Sequence, residues 1–167
     1  MKHGLFYGST TGNCELVAKL IQQALGHNLV DIYDLAYTDL KEAEKYSNLI
    51  FGTSTWGIGD MQEDWQDKIH ALNDIDLTGK VVALYGLGDQ GTYSESFADA
   101  LAILHNTVKK LPCKLVGQWP AKDYSFDSSK ALVNKFFVGL VLDEDTQSDM
   151  TATRVDEWCT LIKPAFL

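Results

Sequence analysis

Short apolar runs alternate with segments of helical periodicity along this chain. Between the runs, apolar residues recur at helical spacing, as Leu16, Val17, Leu20 and Ile21 do. This alternation is typical of βα units, which build a parallel sheet covered by helices on both faces. Five runs predict the strands, at 3–7, 29–33, 47–53, 80–87 and 114–119.

Some of the predicted helices have clear end signals and others do not. Gly26 stands where the first helix should end. The last helix has Thr151 or Thr153 as a candidate N-cap. A polar loop is predicted over 120–135, and the apolar run 136–142 predicts a further strand. The other helices are expected at 39–46, at 63–72 and along the stripe from Phe97 to Leu111.

The order of elements also predicts where a ligand would bind. Right-handed crossovers wind five such strands into a three-layer α/β/α sandwich with strand order 2-1-3-4-5. In open sheets of this kind the ligand site lies outside the carboxyl ends of the strands, where the strand order reverses. We therefore expect the loops 8–14, 54–62 and 87–97 to form one site.

Composition narrows the possible partners. The 167 residues fit one domain, spanning 1–167, with 23 acidic against 14 basic residues and a net charge of −9. Such a charge disfavours nucleic acid and anionic membrane surfaces, and favours a basic protein partner and a monomer. Without a signal peptide or membrane span, and with Cys14, Cys113 and Cys159 far apart, we expect reduced thiols in the cytoplasm.

The loop Gly8-Ser-Thr-Thr-Gly-Asn-Cys14 follows the first strand and opens a helix, the usual position of an anion site. It lacks the lysine of a P-loop and the GxGxxG spacing of a dinucleotide site. Its hydroxyls and backbone N–H groups therefore suit one terminal phosphomonoester. An ordinary Ser/Thr-rich turn remains an alternative interpretation of the loop.

Two aromatic residues follow neighbouring strand ends. Trp56 lies in a glycine-containing segment after the third strand, and Tyr93 lies close to Gly88 and Gly91 after the fourth. Beside a phosphate loop they could enclose a flat aromatic ligand. The alternative is that Trp56 folds back onto the core, as we expect for Trp65. Neither metal-ligand spacing nor a nucleophile–base pair is evident, so no metal and no catalytic residue is assigned.

In combination these motifs resemble the long-chain flavodoxins, and most closely the bacterial flavodoxin 2 subgroup. The resemblance covers essentially the whole chain. It rests on FYGSTTGNCE (6–15), TSTWGIGDMQEDW (53–65), ALYGLGDQGTYSESFADAL (83–101), VGQWPAKDYSF (116–126) and FVGLVLDEDTQ (137–147).

The resemblance implies a flavodoxin-like fold in which the 120–135 insertion splits the fifth strand. It also implies a low-potential electron carrier with non-covalent FMN, cycling between semiquinone and hydroquinone and passing electrons from an NADPH-dependent flavodoxin reductase to acceptor enzymes. Ser9, Thr10, Thr11, Gly12, Asn13 and Cys14 would hold the phosphate. Trp56 and Tyr93 would flank the ring. The ring edge and ribityl chain would lie along Thr55, Gly57, Ile58, Gly59, Leu87, Gly88, Asp89 and Ser96.

Three residues depart from the family pattern. Cys14 replaces the usual Thr, which weakens one phosphate contact and places a thiol near a helix N-terminus. Its pKa would normally fall there, while a phosphate dianion alongside would oppose that fall. Ser54 replaces a common Pro. Gly57 replaces Asn or Asp, and because glycine reaches positive φ easily, we expect the Gly57–Ile58 peptide to turn its carbonyl toward the flavin and stabilise the semiquinone.

Two other functions share this architecture. An FMN-dependent NAD(P)H:quinone reductase is the alternative, although hydride transfer needs an open flavin face that Trp56 and Tyr93 would cover. A receiver module would need an acidic pair after the first strand, where Gly8 and Ser9 stand. It would also need Asp after the third strand and Lys after the fifth, where Thr53 and Trp119 stand, so this interpretation is set aside.

Overall fold

The computed structural model describes residues 1–166, which form a parallel sheet between two layers of helices. The elements, in chain order, are β1 (His3–Tyr7), α1 (Asn13–Leu25), β2 (Val30–Asp34), β3 (Asn48–Trp56), β4 (Asp60–Met61), α2 (Glu63–Lys68), β5 (Val81–Leu87), α3 (Asp99–Val108), β6 (Lys114–Val116), β7 (Trp119–Pro120), β8 (Leu132–Val133), β9 (Phe136–Phe137), β10 (Leu140–Leu142) and α4 (Thr151–Ile162).

The strand order confirms the predicted topology. The parallel sheet runs β2-β1-β3-β5, and both β6 and β10 occupy the fifth position beside β5. All of β1 is buried, and so is β3 from Asn48 to Thr53, as expected for strands covered on both faces. Gly26 ends α1 with a φ of 122°, and its N–H donates to the Gln22 carbonyl.

The fifth strand is interrupted, as the resemblance implied, but the two strands predicted around the break were wrong in detail. The run 114–119 leaves the sheet after Val116, because Trp119 pairs instead with Phe137 in a small antiparallel sheet of β7, β9 and β8. The run 136–142 is also two strands, with Gly139 between them. A Cβ on Gly139 would collide with the Leu84 carbonyl, so this crossing requires glycine. The polar loop of 120–135 likewise contains β8.

Several predicted boundaries also shift. The loop after the third strand is a hairpin, since β3 continues to Trp56 and pairs antiparallel with β4. The stripe beginning at Phe97 becomes helical only at Asp99, because Ala98 has a left-handed φ of 56°. Two predicted helices are wholly or partly 3-10, at Leu40–Lys45 and Ile69–Asp74.

The predicted cap of the last helix was wrong. A 3-10 turn at Ser148–Met150 leads directly into α4, so the N-cap residue is Met150 and no side chain caps the helix. Thr151 is the first helical residue, and its hydroxyl donates to Glu144 instead. Within residues 1–166, the structure has no helix with the length and apolar character needed to cross a bilayer.

Candidate functional site

A cleft of about 370 Å³ opens at the carboxyl ends of β1, β3 and β5, where the topology predicted a site. Loops 8–14, 54–62 and 87–97 all contribute to it, so the prediction that they converge is confirmed. A fourth segment, directly after β10, adds two carboxylates. The lining residues are Ser9, Thr11, Asn13, Cys14, Ser54, Thr55, Trp56, Gly57, Leu87, Gly88, Asp89, Tyr93, Glu144 and Asp145.

One end of the cleft is the N-terminus of α1. Gly12 precedes the helix with a φ of 91°, and its N–H donates to the Ser9 hydroxyl over 3.0 Å. No side chain caps the helix, so the N–H groups of its first turn can bind an anion. No Lys or Arg lines the cleft within the described part of the chain. This end therefore fits a phosphate held by neutral donors and the helix dipole.

Trp56 forms one wall of the cleft and lies on the hairpin of β3 and β4. Its side chain is 39% exposed, so it has not folded back onto the core, whereas Trp65 is fully buried. The hairpin turns at Gly57 and Gly59, with φ of 49° and 88°, and the Ile58 side chain between them is exposed. The glycines thus allow a tight turn that presents an indole to the cleft.

Tyr93 forms a second wall of the cleft and is 40% exposed. Its loop has no regular secondary structure, yet the insertion holds it by hydrogen bonds. Backbone N–H groups of Asp127 and Ser128 both donate to the Ser94 carbonyl, over 2.9 and 3.0 Å. Further along, the Phe97 N–H donates to the Ser128 carbonyl over 3.2 Å. Segment 125–130 therefore fixes the loop that carries Tyr93.

Cys14 lines the cleft from the first turn of α1. Its side chain is buried, and burial raises the pKa of the thiol to about 12, while a hydrogen bond with Ser54 opposes part of that rise. The predicted lowering of this pKa by the helix N-terminus was therefore wrong. Removing the charged thiolate from water outweighs the favourable dipole, and the group is a neutral thiol at pH 7.

A buried tyrosine supports the same turn of α1 from below. The Tyr85 ring lies over the neighbouring strand β3 at Gly52. Glycine leaves room for it there, since a Cβ on Gly52 would overlap the phenol ring. The Tyr85 hydroxyl donates to the Cys14 carbonyl over 2.9 Å. Burial raises the pKa of Tyr85 well above its ordinary value, so the hydroxyl remains a donor.

The Tyr93 side of the cleft is acidic. Glu144 and Asp145 line it beside Asp89. Buried Asp143 organises the segment by accepting hydrogen bonds from the Gln90 and Thr146 N–H groups, over 3.0 and 2.9 Å. Partial burial, then Asp89, raises the pKa of Asp145. Added negative charge is thus disfavoured here.

Five of the predicted site residues do not line the cleft. The Thr10 hydroxyl accepts a hydrogen bond from Gln62, Ser96 is buried behind Tyr93, and Gly59 lies against Asp99. Gly12 and Ile58 shape the two turns without lining the cleft. Whether the remaining residues bind a cofactor stays a prediction.

Sequence reasoning missed Ser54, Glu144 and Asp145 as lining residues. Ser54 lay inside a predicted loop of the site, at one position from Thr55, so only its orientation was unknown. The other two follow the second half of the split strand. Because the topological rule places ligands at strand carboxyl ends, that rule applied to β10 would have indicated them.

Three kinds of comparison with known proteins indicate the same family. A family model described as Flavodoxin matches residues 5–158. The chain is 45% identical to flavodoxin of Buchnera aphidicola subsp. Acyrthosiphon pisum, over 99% of this chain and 97% of that one. It is 44% identical to Flavodoxin 1 of Escherichia coli, over 93% and 89%. A crystal structure of Fusobacterium nucleatum flavodoxin bound to flavin mononucleotide superposes with a TM-score of 0.93, at 32% identity, over 99% of each chain.

Proposed function

The chain belongs to the flavodoxin family, and on that premise we propose that it is an electron carrier that binds FMN in the cleft. Proteins of this family accept electrons from reductases and donate them to acceptor proteins. The finer proposal is that this chain is a low-potential, one-electron carrier. When bound, FMN supplies the ring that accepts the electrons.

The observation that carries the proposal is the pairing of two ends in one cleft. An uncapped helix N-terminus with the hydroxyls of Ser9 and Thr11 lies at one end, and the half-exposed side chains of Trp56 and Tyr93 lie at the other. FMN has a terminal phosphate and a flat aromatic ring, joined by a polyol. We infer that Asn13 and Cys14 complete the phosphate end and that the two aromatic walls exclude water from the ring faces.

The charges around the cleft support a low potential. Asp89, Glu144 and Asp145 lie on one side of it, and the whole chain carries a net charge of −9. A second electron that leaves a negative charge on the cofactor is disfavoured by these carboxylates. Each 1.4 kcal/mol of such disfavour lowers a one-electron potential by about 60 mV. The acidic residues therefore lower the potential at which the second electron is added, and we propose that the protein works at this lower potential.

The same charge supports a proposal about partners. An acidic surface is complementary to a basic one, so we propose a basic NADPH-dependent flavodoxin reductase as the donor and basic acceptor enzymes downstream. Electron transfer with such a donor should slow steeply as salt is added from about 20 to about 300 mM. We further propose that the chain is cytoplasmic, since Cys14, Cys113 and Cys159 are all free thiols, and monomeric, since its net charge of −9 opposes self-association.

The alternative of an NAD(P)H:quinone reductase is not supported by the comparisons. The relatives are named flavodoxins, which are electron-transfer proteins and not enzymes. Trp56 and Tyr93 both line the cleft, and we infer that they would cover the ring face that hydride transfer needs.

Stepwise reduction of the FMN-loaded protein by dithionite, followed by visible spectroscopy, tests the function. We expect two separated one-electron steps, the second at low potential, and no bleaching by NADPH alone. A single two-electron step with equal bleaching by NADPH would support the reductase. Protein that takes up no FMN would contradict the proposal altogether.

A further inference from the structure

The Trp56 wall of the cleft is held by a hydrogen bond to a neighbouring residue of the same strand. The indole N–H of Trp56 donates to the Ser54 hydroxyl, with Nε1 and Oγ 2.9 Å apart. Ser54 is also close enough to the Cys14 thiol, in the first turn of α1, to oppose part of the rise in its pKa that burial causes. All three side chains line the cleft.

The position of Ser54 makes it a firm base for the indole. Residues 54 and 56 are two apart in a strand, so their side chains lie on the same face of β3. The Ser54 backbone is held from two sides, by pairing with Leu87 of β5 and by the Gln62 N–H, which donates to the Ser54 carbonyl over 3.3 Å. Its hydroxyl therefore has little freedom to move away from the indole.

The hairpin itself provides less restraint. Beyond Ser54, β3 and β4 share two residue pairs, Thr55 with Met61 and Trp56 with Asp60. The turn between them is built on Gly57 and Gly59 and has an exposed tip. An exposed indole on such a short hairpin would sample several rotamers, unless a specific hydrogen bond selects one.

We propose that Ser54 is a positioning residue that fixes the Trp56 indole for the cofactor ring. This inference rests on the proposed function for the identity of the ligand, but the contact itself belongs to the protein alone. Loss of one net hydrogen bond corresponds to about a fivefold loss of affinity, which is the size of effect we expect.

The first measurement is solvent exchange of the indole N–H in ¹⁵N-labelled full-length protein without FMN. The chain has four tryptophans, and the other three serve as internal references because each indole donates to a protein acceptor: Trp65 to Gly52, Trp119 to Tyr124 and Trp158 to Gly117. Trp56→Phe assigns the remaining signal. We expect Ser54→Ala to accelerate exchange at Trp56 about fivefold or more and to leave the other three unchanged.

The second measurement compares the affinity for FMN with that for riboflavin, which lacks the phosphate. Ser54→Ala should weaken both ligands about fivefold, because it acts on the ring wall. Ser54→Thr, which retains the hydroxyl, should restore both affinities and the slow exchange. Thr153→Ala, which removes an exposed hydroxyl from α4, is the matched control and should change nothing.

Unchanged Trp56 exchange in Ser54→Ala, or failure of Ser54→Thr to restore it, would overturn the inference. If the protein binds no FMN while the indole responds as expected, the proposed function fails and the positioning of Trp56 by Ser54 stands.

Discussion

The two aromatic walls of the cleft are held by different sets of hydrogen bonds. Trp56 lies on a hairpin whose own hydrogen bonds are local, between residues 54 and 62, although β3 also pairs with β5 and the Thr55 hydroxyl accepts from the Ala100 N–H. Tyr93 lies on an irregular loop that has local turn bonds and is in addition tied to segment 125–130, roughly 30 residues or more further along the chain. Both side chains are exposed to nearly the same extent, at 39% and 40%. The two side chains are thus equally exposed, although different contacts hold the segments that carry them.

This difference predicts two different responses to mutation. Local restraints fail one at a time, because each turn or pair acts on its nearest neighbours. Restraints from a distant segment fail together, because the insertion must itself be folded to supply any of them. The Tyr93 wall should therefore be sensitive to packing of the insertion, and the Trp56 wall to the conformation of single residues.

The largest effect should come from the aromatic cluster that joins the insertion to the Tyr93 loop. Phe97 is fully buried, and its ring centroid lies 5.1 Å from that of Phe126 and 5.9 Å from that of Tyr124. Phe97→Ala should lower the free energy of unfolding by about 3–5 kcal/mol, measured by urea denaturation. It should also weaken FMN binding, because the Tyr93 wall loses its support.

Leu104→Ala is the matched control for that experiment. Leu104 is fully buried in α3 away from the cleft, and its loss should cost about 2–5 kcal/mol. FMN affinity should stay unchanged in Leu104→Ala once both proteins are measured well below their unfolding midpoints. Equal losses of affinity in the two variants would mean that the cluster does not specifically support Tyr93.

A second prediction concerns a residue that lies between the insertion and the Trp56 hairpin. Asp99 is buried, its Oδ1 accepts from the Lys130 N–H over 2.8 Å, and its Oδ2 faces Gly59 on the hairpin. Asp99→Ala leaves the Lys130 N–H without its acceptor, which should cost about 1–3 kcal/mol. Amide exchange at Lys130 should accelerate. Asp99→Asn retains an acceptor oxygen and should recover most of the stability; no difference between the two variants would contradict the assignment.

The sequence was most informative where order is local or follows from topology. Strand order, the convergence of three loops, and an exposed Trp56 on a turn made by Gly57 and Gly59 all follow from periodicity, glycine positions and the rules for parallel sheets. The wrong boundaries occur where long-range pairing decides. Trp119 pairs with Phe137 across the insertion, and no local pattern at Trp119 signals that partner.

The types of residue in the site were predictable from the sequence, but the direction of a pKa shift was not. A thiol at a helix N-terminus indicated a lowered pKa for Cys14, yet the complete burial of the side chain reversed the sign. Burial depends on how α1 packs against β3 and β5, which the sequence of the loop does not contain. The same applies to Tyr85, whose contact with the Cys14 carbonyl needs the space left by Gly52.

The buried Cys14 thiol makes the stability of the folded protein depend on pH. Folding raises the pKa of Cys14 to about 12, against 9.0 for a free thiol, so between pH 9 and pH 12 the unfolded chain has lost a proton that the folded chain keeps. The stability that the neutral, buried thiol contributes is therefore fully present below pH 9. Between pH 9 and pH 12 the free energy of unfolding falls by about 1.4 kcal/mol per pH unit. Cys14→Ser should remove this share of the slope in urea unfolding between about pH 8.5 and about pH 10.5. An unchanged slope would mean that the thiol titrates freely in the folded protein.

The smallest effect, and the sharpest test of local restraint, is at the hairpin turn. Gly57 has a φ of 49°, and a Cβ there would meet Asp60 at an ordinary 3.5 Å. Gly57→Ala should therefore cost only the backbone strain, about 1 kcal/mol in urea unfolding. If the Gly57–Ile58 peptide must turn toward the bound flavin on reduction, the first one-electron potential should fall by roughly 40 mV for each 1 kcal/mol of added strain.

Gly79→Ala separates that strain from any action on the flavin. Gly79 has a φ of 72° and lies in the turn before β5, outside the cleft, where a methyl group would meet no atom within 4 Å. Its substitution should cost a similar amount of stability and leave the potential unchanged. A shift in Gly57→Ala alone would show that the hairpin controls the cofactor through a single residue. Identical potentials in the two variants and the parent protein would refute the Gly57 hypothesis, and would leave the hairpin as no more than a support for Trp56.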